Sequence, residues 1–226
     1  MQKKLKRDDY FRCPIWSTYE GSILKELNNA SDKHIKKAKI NLKHELKERN
    51  EKYGDRGDMG YTFQSDSLIE DESFQEFQNY IGETSYNLLD EMGFDLTDYK
   101  IHIMELWVQE FAEKGGGHHK LHTHWNGHMS GFYFLKAGEK TSMPVFHDPR
   151  AGNVMNLLPE KDEKQITYAS SQVHYKVKSG AMMFFPSYMP HLYTVDMGYE
   201  PFRFIHFNCQ AIPKYLTTNK QGVNNG

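Results

Sequence analysis

Cysteine is nearly missing from this chain: Cys13 and Cys209 are the only two among 226 residues. A thiolate-rich zinc site is thereby excluded, because it needs more sulfur ligands. Two thiols so far apart in sequence read as free thiols rather than as a disulfide. Long apolar runs are missing too. Mean hydropathy is −0.76, and no stretch approaches the roughly 20 apolar residues of a membrane-spanning helix. Nor is there an excess of charge of one sign. Lys and Arg number 28 against 30 Asp and Glu, a net charge of −2, which offers nucleic acid no electrostatic footing. Met1 to Arg7 is basic, but Asp8 and Asp9 follow and no apolar stretch does, so the segment does not read as a secretory signal. The expectation is a soluble, cytoplasmic protein with neither nucleic acid nor membrane as partner.

Aromatic residues are plentiful, at 14%, and there are 12 histidines. The aromatics suit a β-rich core. Hydrophobic periodicity divides the chain in two. Over residues 1–100 it is mostly helical. Ser31 is a plausible N-cap for a polar helix from Asp32 to about Asn50. Phe74, Phe77, Ile81, Leu88 and Met92 make one apolar stripe on a helix from Glu72 to Met92, with Gly93 as its stop. Tyr10–Trp16 reads as an edge strand, because Pro14 keeps it off a sheet centre. From Tyr99 the period changes to two. Strands are predicted at Ile101–Phe111, Leu121–Trp125, Met129–Lys136, Met143–His147, Gln172–Val177, Ala181–Phe185, His191–Val195 and Phe202–Cys209. Eight short strands with polar turns suggest a sandwich or barrel. The expected organisation is one domain over 1–216, with a helical support region (1–100), a β core (101–210) and a loose tail (217–226). The polar connection 151–171 has the length of a lid or binding loop.

The histidines are unevenly spread. His118, His119, His122, His124 and His128 fall within eleven residues. Alternate residues of a strand share a face, so His122 and His124 can point the same way and converge on one ion. A third ligand must come from elsewhere, and His191 is the best candidate, where an apolar strand ends in Phe185-Pro186-Ser187-Tyr188-Met189-Pro190. Imidazoles suit iron, zinc, copper and nickel alike. Arg203 lies between Phe202 and Phe204 on the next strand. Pointing inward, it needs an anion, since a lone buried guanidinium is costly. With no fixed acidic partner evident in the sequence, a ligand carboxylate held bidentately is attractive.

The order of these pieces carries a resemblance: His122-Thr123-His124, the strand Ser130–Leu135, His147-Asp148-Pro149-Arg150, Phe185-Pro186-Ser187 with Pro190-His191, then Arg203. It resembles the small 2-oxoglutarate/iron(II) oxygenases, relatives of the prolyl hydroxylases, over about Trp107 to Asn208. The resemblance implies a mainly β fold with N-terminal helices, a double-stranded β-helix (jelly-roll, cupin-like) barrel with helices packed outside. It implies Fe(II) held by His122, His124 and His191, with 2-oxoglutarate and O₂ as co-substrates. Arg203 would grip the far carboxylate of 2-oxoglutarate, and Tyr133 would help it. The reaction implied is oxidative decarboxylation of 2-oxoglutarate coupled to hydroxylation of a small-molecule or peptide substrate. One departure stands out: His124 occupies the position where the superfamily has its carboxylate ligand. Either all three imidazoles bind, or two bind beside water or substrate, or Asp148 supplies the carboxylate.

Around this constellation, Arg150 and His119 are candidate substrate contacts, against the plainer readings of a turn residue bonded to Asp148 and an exposed loop residue. Tyr133 has the plain reading of a core tyrosine with a satisfied hydroxyl. Asn208 reads as structural, and His206 should face away from Arg203. Three rival functions remain open. A cupin-like metal module or isomerase would need no Arg203. A non-enzymatic jelly-roll binding domain would leave the histidines incidental. A zinc hydrolase would want an acidic general base, and none lies near His122 in sequence.

Overall fold

The computed structural model describes Asp8, residues 11–150 and residues 158–217. Two antiparallel sheets make its centre. In chain order the strands are β1 (Trp16–Tyr19), β2 (Thr62–Gln64), β3 (Tyr99–Phe111), β4 (His119–His122), β5 (Met129–Lys136), β6 (Pro144–His147), β7 (Gln172–His174), β8 (Ala181–Pro186), β9 (His191–Tyr193) and β10 (Arg203–Pro213). The larger sheet runs β1-β8-β5-β10-β3-β2 and the smaller β4-β9-β6-β7. From β3 onward the chain passes back and forth between the sheets, so residues far apart in sequence face one another across the interior.

Side-chain alternation sorts the larger sheet into two faces. Leu106 and Val108 of β3, Tyr133 and Leu135 of β5, Met182 and Phe184 of β8, and Ile205, Phe207 and Cys209 of β10 pack in one core with the helices. Phe132 and Phe134, Met183 and Phe185, and Phe204 face the smaller sheet, where they meet Phe146 and Tyr193. The helical face is covered by α1 (Leu24–Asn41) and α3 (Gln75–Glu91), α3 being entered through a 3₁₀ turn at Glu72–Phe74. As expected, Phe74, Phe77 and Ile81 are buried against the sheet, with Leu88 and Met92 packed beside them.

The N-terminal helix differs from its reading in the sequence. It begins at Leu24, and Leu42 separates α1 from α2 (Lys43–Tyr53). Ser31 is not a cap. It sits buried inside α1, its hydroxyl donating to the Leu27 carbonyl at 2.7 Å, the back-bond an interior serine makes instead of capping. The strand expected at Tyr10–Trp16 forms at Trp16–Tyr19, on the sheet edge beside β8. Tyr10, residues 151–157 of the long connection and residues 218–226 of the tail lie outside the described residues. Both cysteines are free. Among the described residues, no helix is long and apolar enough to cross a membrane.

Candidate metal centre

Three segments bring histidines together between the sheets. β4 ends at His122, which pairs with His191 at the start of β9. The chain then leaves the sheet, and the His124 amide donates to the Ser187 carbonyl at 2.9 Å. Strand alternation thus does not position His124, although the expected convergence occurs. Ligand atoms of His122, His124 and His191 all lie within 4.8 Å of one another. Two of the rings are steered by their own backbone neighbours. His122 Nδ1 is 2.7 Å from the Lys120 carbonyl, and His191 Nδ1 is 2.9 Å from the Met189 carbonyl. In that arrangement Nδ1–H donates and Nε2 keeps its lone pair, as metal-ligating histidines require.

A second group adjoins the first. Glu105 of β3, His124, and His206 of β10 also keep their ligand atoms within 4.8 Å of one another. Glu105 Oε2 is 3.7 Å from His206 Nε2 and 4.0 Å from His124 Nδ1. Asn208 Nδ2 reaches both Glu105 Oε2, at 2.6 Å, and His124 Nδ1, at 3.0 Å. Asn208 Oδ1 accepts from Ser130 Oγ at 2.5 Å, and Ser130 is 2.8 Å from Ser187 Oγ. That acceptance fixes the amide so that its NH₂ faces the carboxylate and the ring.

The surroundings favour neutral imidazoles and an ionised carboxylate. Burial pushes the His191 ring down to about 2, His124 to about 3 and His119 to about 4. It lowers His206 as well, against the opposing pull of Glu105. The Glu105 carboxyl is held down to about 2, by His206 first and Asn208 after it, although its partial burial acts the other way. Among the described residues, Nε2 of His124 and His191 and both ring nitrogens of His206 are buried without a hydrogen-bond partner. Such orphans cost about 1–3 kcal/mol each, and a cation would satisfy the one nitrogen of each ring that keeps its lone pair. The donor set of imidazole and carboxylate fits a first-row divalent metal.

Arg203 requires a correction. It lies on the opposite face of β10 from His206, toward the helices. Its Nε donates to Glu110 Oε2 at 2.8 Å and its Nη1 to Asp32 Oδ1 at 2.6 Å. The fixed acidic partners not evident in the sequence therefore exist, supplied by β3 and α1. Tyr133 shares that face, and its hydroxyl donates to the Glu20 carbonyl at 2.6 Å, the plain core role. Neither is among the histidines. Arg150 pairs bidentately with Asp148, which closes the turn and belongs to neither metal-ligand group. His118 and His128 are exposed as expected. His119 is not a loop residue. Its ring packs 5.5 Å from Tyr193 and 6.0 Å from His122.

Sequence reasoning left Glu105, His206 and Asn208 out of the site. A signal was present in the parity: His206 and Asn208 are two apart on β10, both opposite in phase to Arg203. A carboxylate inside the apolar run Ile103–Val108 is unusual as well. The acidic group that a hydrolase reading found missing near His122 comes from β3.

No curated protein matches the sequence. A family model does match, over residues 105–208, and its description is "Putative 2OG-Fe(II) oxygenase". Among solved structures, the non-heme alpha ketoglutarate dependent epimerase SnoN of nogalamycin biosynthesis has TM-score 0.55 at 10% identity, covering 95% of this chain and 86% of that one. The viral collagen prolyl hydroxylase of Paramecium Bursaria Chlorella virus-1 has TM-score 0.55 at 13% identity, covering 94% and 98%. A Burkholderia pseudomallei oxidoreductase of the 2OG-Fe(II) oxygenase family has TM-score 0.38 at 9% identity over 63% of this chain, which spans 54% of that protein. At such identities the structural likeness speaks for the fold. Residues 105–208, the segment similar to that family, carry both histidine groups.

Proposed function

We propose that the chain is a 2-oxoglutarate- and Fe(II)-dependent dioxygenase, its two facing sheets forming the jelly-roll that this chemistry uses. In this reading His122, His124 and His191 hold the iron. The observation that carries it is the convergence of these three imidazoles, two with a buried, unpartnered Nε2, inside the segment that matches the family. When bound, iron with 2-oxoglutarate and O₂ supplies the oxidant for a substrate C–H bond. This chain's own part is to orient the rings through the Lys120 and Met189 carbonyls and to wall the interior with aromatics. Trp107, Phe132 and Phe204 stand close to His119 and His206, and such a lining keeps water from a reactive centre. A small molecule or a peptide is the proposed substrate, and hydroxylation the proposed outcome.

The residues fit the metal better than they fit the co-substrate. Arg203 is committed to Glu110 and Asp32 on the other face of the sheet, so it is not the receiver of the far carboxylate. That favours a second reading, a cupin-like metal module or isomerase that needs no 2-oxoglutarate. Anaerobic titration of Fe(II)-loaded protein with 2-oxoglutarate separates the two. A weak visible charge-transfer band saturating at one equivalent is expected for the dioxygenase. Bound metal without a band would leave the metal module.

A further inference from the structure

We infer that Glu105, His124 and His206 form a second site for a divalent transition-metal cation, adjoining the three-histidine group and alternative to it, because the His124 ring they share has one lone pair and serves one ion at a time. This deepens the metal-centre reading and rests on it only through that shared ring.

The case begins with His206. It is 1% exposed, and neither ring nitrogen has a hydrogen-bond partner among the described residues. Its ring stacks on His124 with centroids 4.6 Å apart and lies 4.6 Å from Trp107. A core histidine kept only for packing would donate one N–H to a carbonyl or hydroxyl. Here a carboxylate oxygen lies 3.7 Å from Nε2, too far for a hydrogen bond and close to the spacing of two ligands on one ion. Metal–ligand bonds of about 2.0–2.2 Å at angles of about 90–110° put neighbouring ligand atoms about 3.0–3.5 Å apart. The Glu105–His206 and Glu105–His124 separations of 3.7 and 4.0 Å reach that range with small side-chain rotations.

Glu105 is held in readiness. Asn208 donates to its Oε2 at 2.6 Å and is itself pinned by Ser130, so the half-buried carboxylate is oriented by two buried side chains. Oriented ligands of this kind are the mark of a metal site's supporting groups. The set is also chemically distinct from its neighbour. The first group is three neutral imidazoles, which select weakly among iron, zinc and nickel. The second is two imidazoles and a carboxylate, the combination that suits Fe(II) and leaves positions open.

The test uses Co(II), whose binding is read by equilibrium dialysis and by its visible d–d spectrum, on the full chain. His191→Ala breaks the three-histidine group and leaves the second one whole, so this variant should still hold one equivalent of Co(II). Adding Glu105→Gln, which retains an acceptor for Asn208, should release that ion, as should adding His206→Gln. Thermal unfolding of each metal-free variant checks that the fold is intact, and the two routes to the double variant guard against misfolding in either. The inference is overturned if His191→Ala holds no Co(II), or if the ion survives both double variants. Failure of the three-histidine reading looks different: Glu105→Gln alone would empty the protein.

Discussion

Arg203 is the residue for which resemblance and structure expect opposite phenotypes. Its side chain is 5% exposed and faces Glu110, which is 7% exposed, at 2.7 Å. Asp32, largely in solvent, takes the other guanidinium edge. Removing one partner of a buried ion pair costs about 3–5 kcal/mol, because the other charge is left without compensation. Glu110 would keep Lys39 at 2.7 Å and Lys136 at 3.5 Å, so the lower end applies, about 3 kcal/mol for Arg203→Ala. For a chain of this size about 2–4 °C of Tm goes with each kcal/mol, giving a fall of about 6–12 °C. Urea unfolding of the metal-free protein measures it directly. The double variant Arg203→Met/Glu110→Leu should lose less than the sum of its parts, since no charge is then stranded. At permissive temperature the 2-oxoglutarate requirement of Arg203→Ala should equal that of wild type. A variant with wild-type stability and a sharply raised 2-oxoglutarate requirement would refute the reasoning and restore Arg203 to the site.

Three further outcomes follow from packing and charge. A Cβ at Gly131 would lie 2.1 Å from Phe207 Cζ and 2.4 Å from the Met183 carbonyl; the carbonyl belongs to a paired strand and cannot retreat, so Gly131→Ala should cost at least the 1–3 kcal/mol, roughly, of an overpacked core, read as a lower urea midpoint. Ser130→Ala removes the donor to Asn208 Oδ1 and should cost about 1–3 kcal/mol for an unsatisfied buried amide, while loosening the Asn208 hold on Glu105; a neutral result would show that the network does not position that carboxylate. The third concerns pH. Burial depresses His119, His124 and His191 to about 4, 3 and 2, whereas in the unfolded chain each takes its proton near pH 6.5. Between those values the unfolded state binds more protons, so stability is lost as pH falls below about 6.5, at up to about 1.4 kcal/mol per pH unit for each group. Metal-free protein should therefore show a clearly lower urea midpoint at pH 5 than at pH 7, and equal midpoints would mean that the rings are not buried as described.

The elements that the sequence specified most clearly are those whose side chains follow a single period. β5 has the predicted bounds, Met129–Lys136, and β3, β6, β8 and β9 are within a few residues of theirs; β3, β5 and β8 alternate between two apolar faces, and a slip would expose one. α3 was legible through its stripe. α1 was misplaced because its apolar positions are sparse and Ser31 mimics a cap while buried in the helix. β4 was displaced because His124 is held by a Ser187 contact outside the sheet, which no local pattern encodes. The histidine convergence was readable from local spacing and from the Pro-framed approach to His191. Glu105 was not, because its proximity to His206 and Asn208 depends on how β3 and β10 are paired, a fact about the sheet rather than about either segment.

The fate of Arg203 turns on that pairing. Against β5 the register of β10 slips between Arg203 and Phe204, where Arg203 sits opposite Lys136 and Phe204 opposite Phe134, skipping Leu135. Beyond the bulge the parity is fixed by packing: Ile205, Phe207 and Cys209 lie with the helices, while Phe204 faces the smaller sheet. A shift of one residue would carry the aromatic and aliphatic sets to the wrong faces together, which the two cores forbid. Under that constraint Arg203 and His206 cannot both point toward His124. The strand places His206 and Asn208 there, leaving the guanidinium to Glu110, so the polar chemistry of the interior rests on imidazole, amide and carboxylate. Any anion that binds beside the metal must then be received by the metal itself and by the neutral imidazole and amide donors. Its affinity should accordingly depend on metal loading far more than on ionic strength. Measuring 2-oxoglutarate binding with and without Co(II), at low and high salt, tests this; metal-independent, salt-sensitive binding would mean that a cationic side chain receives it after all.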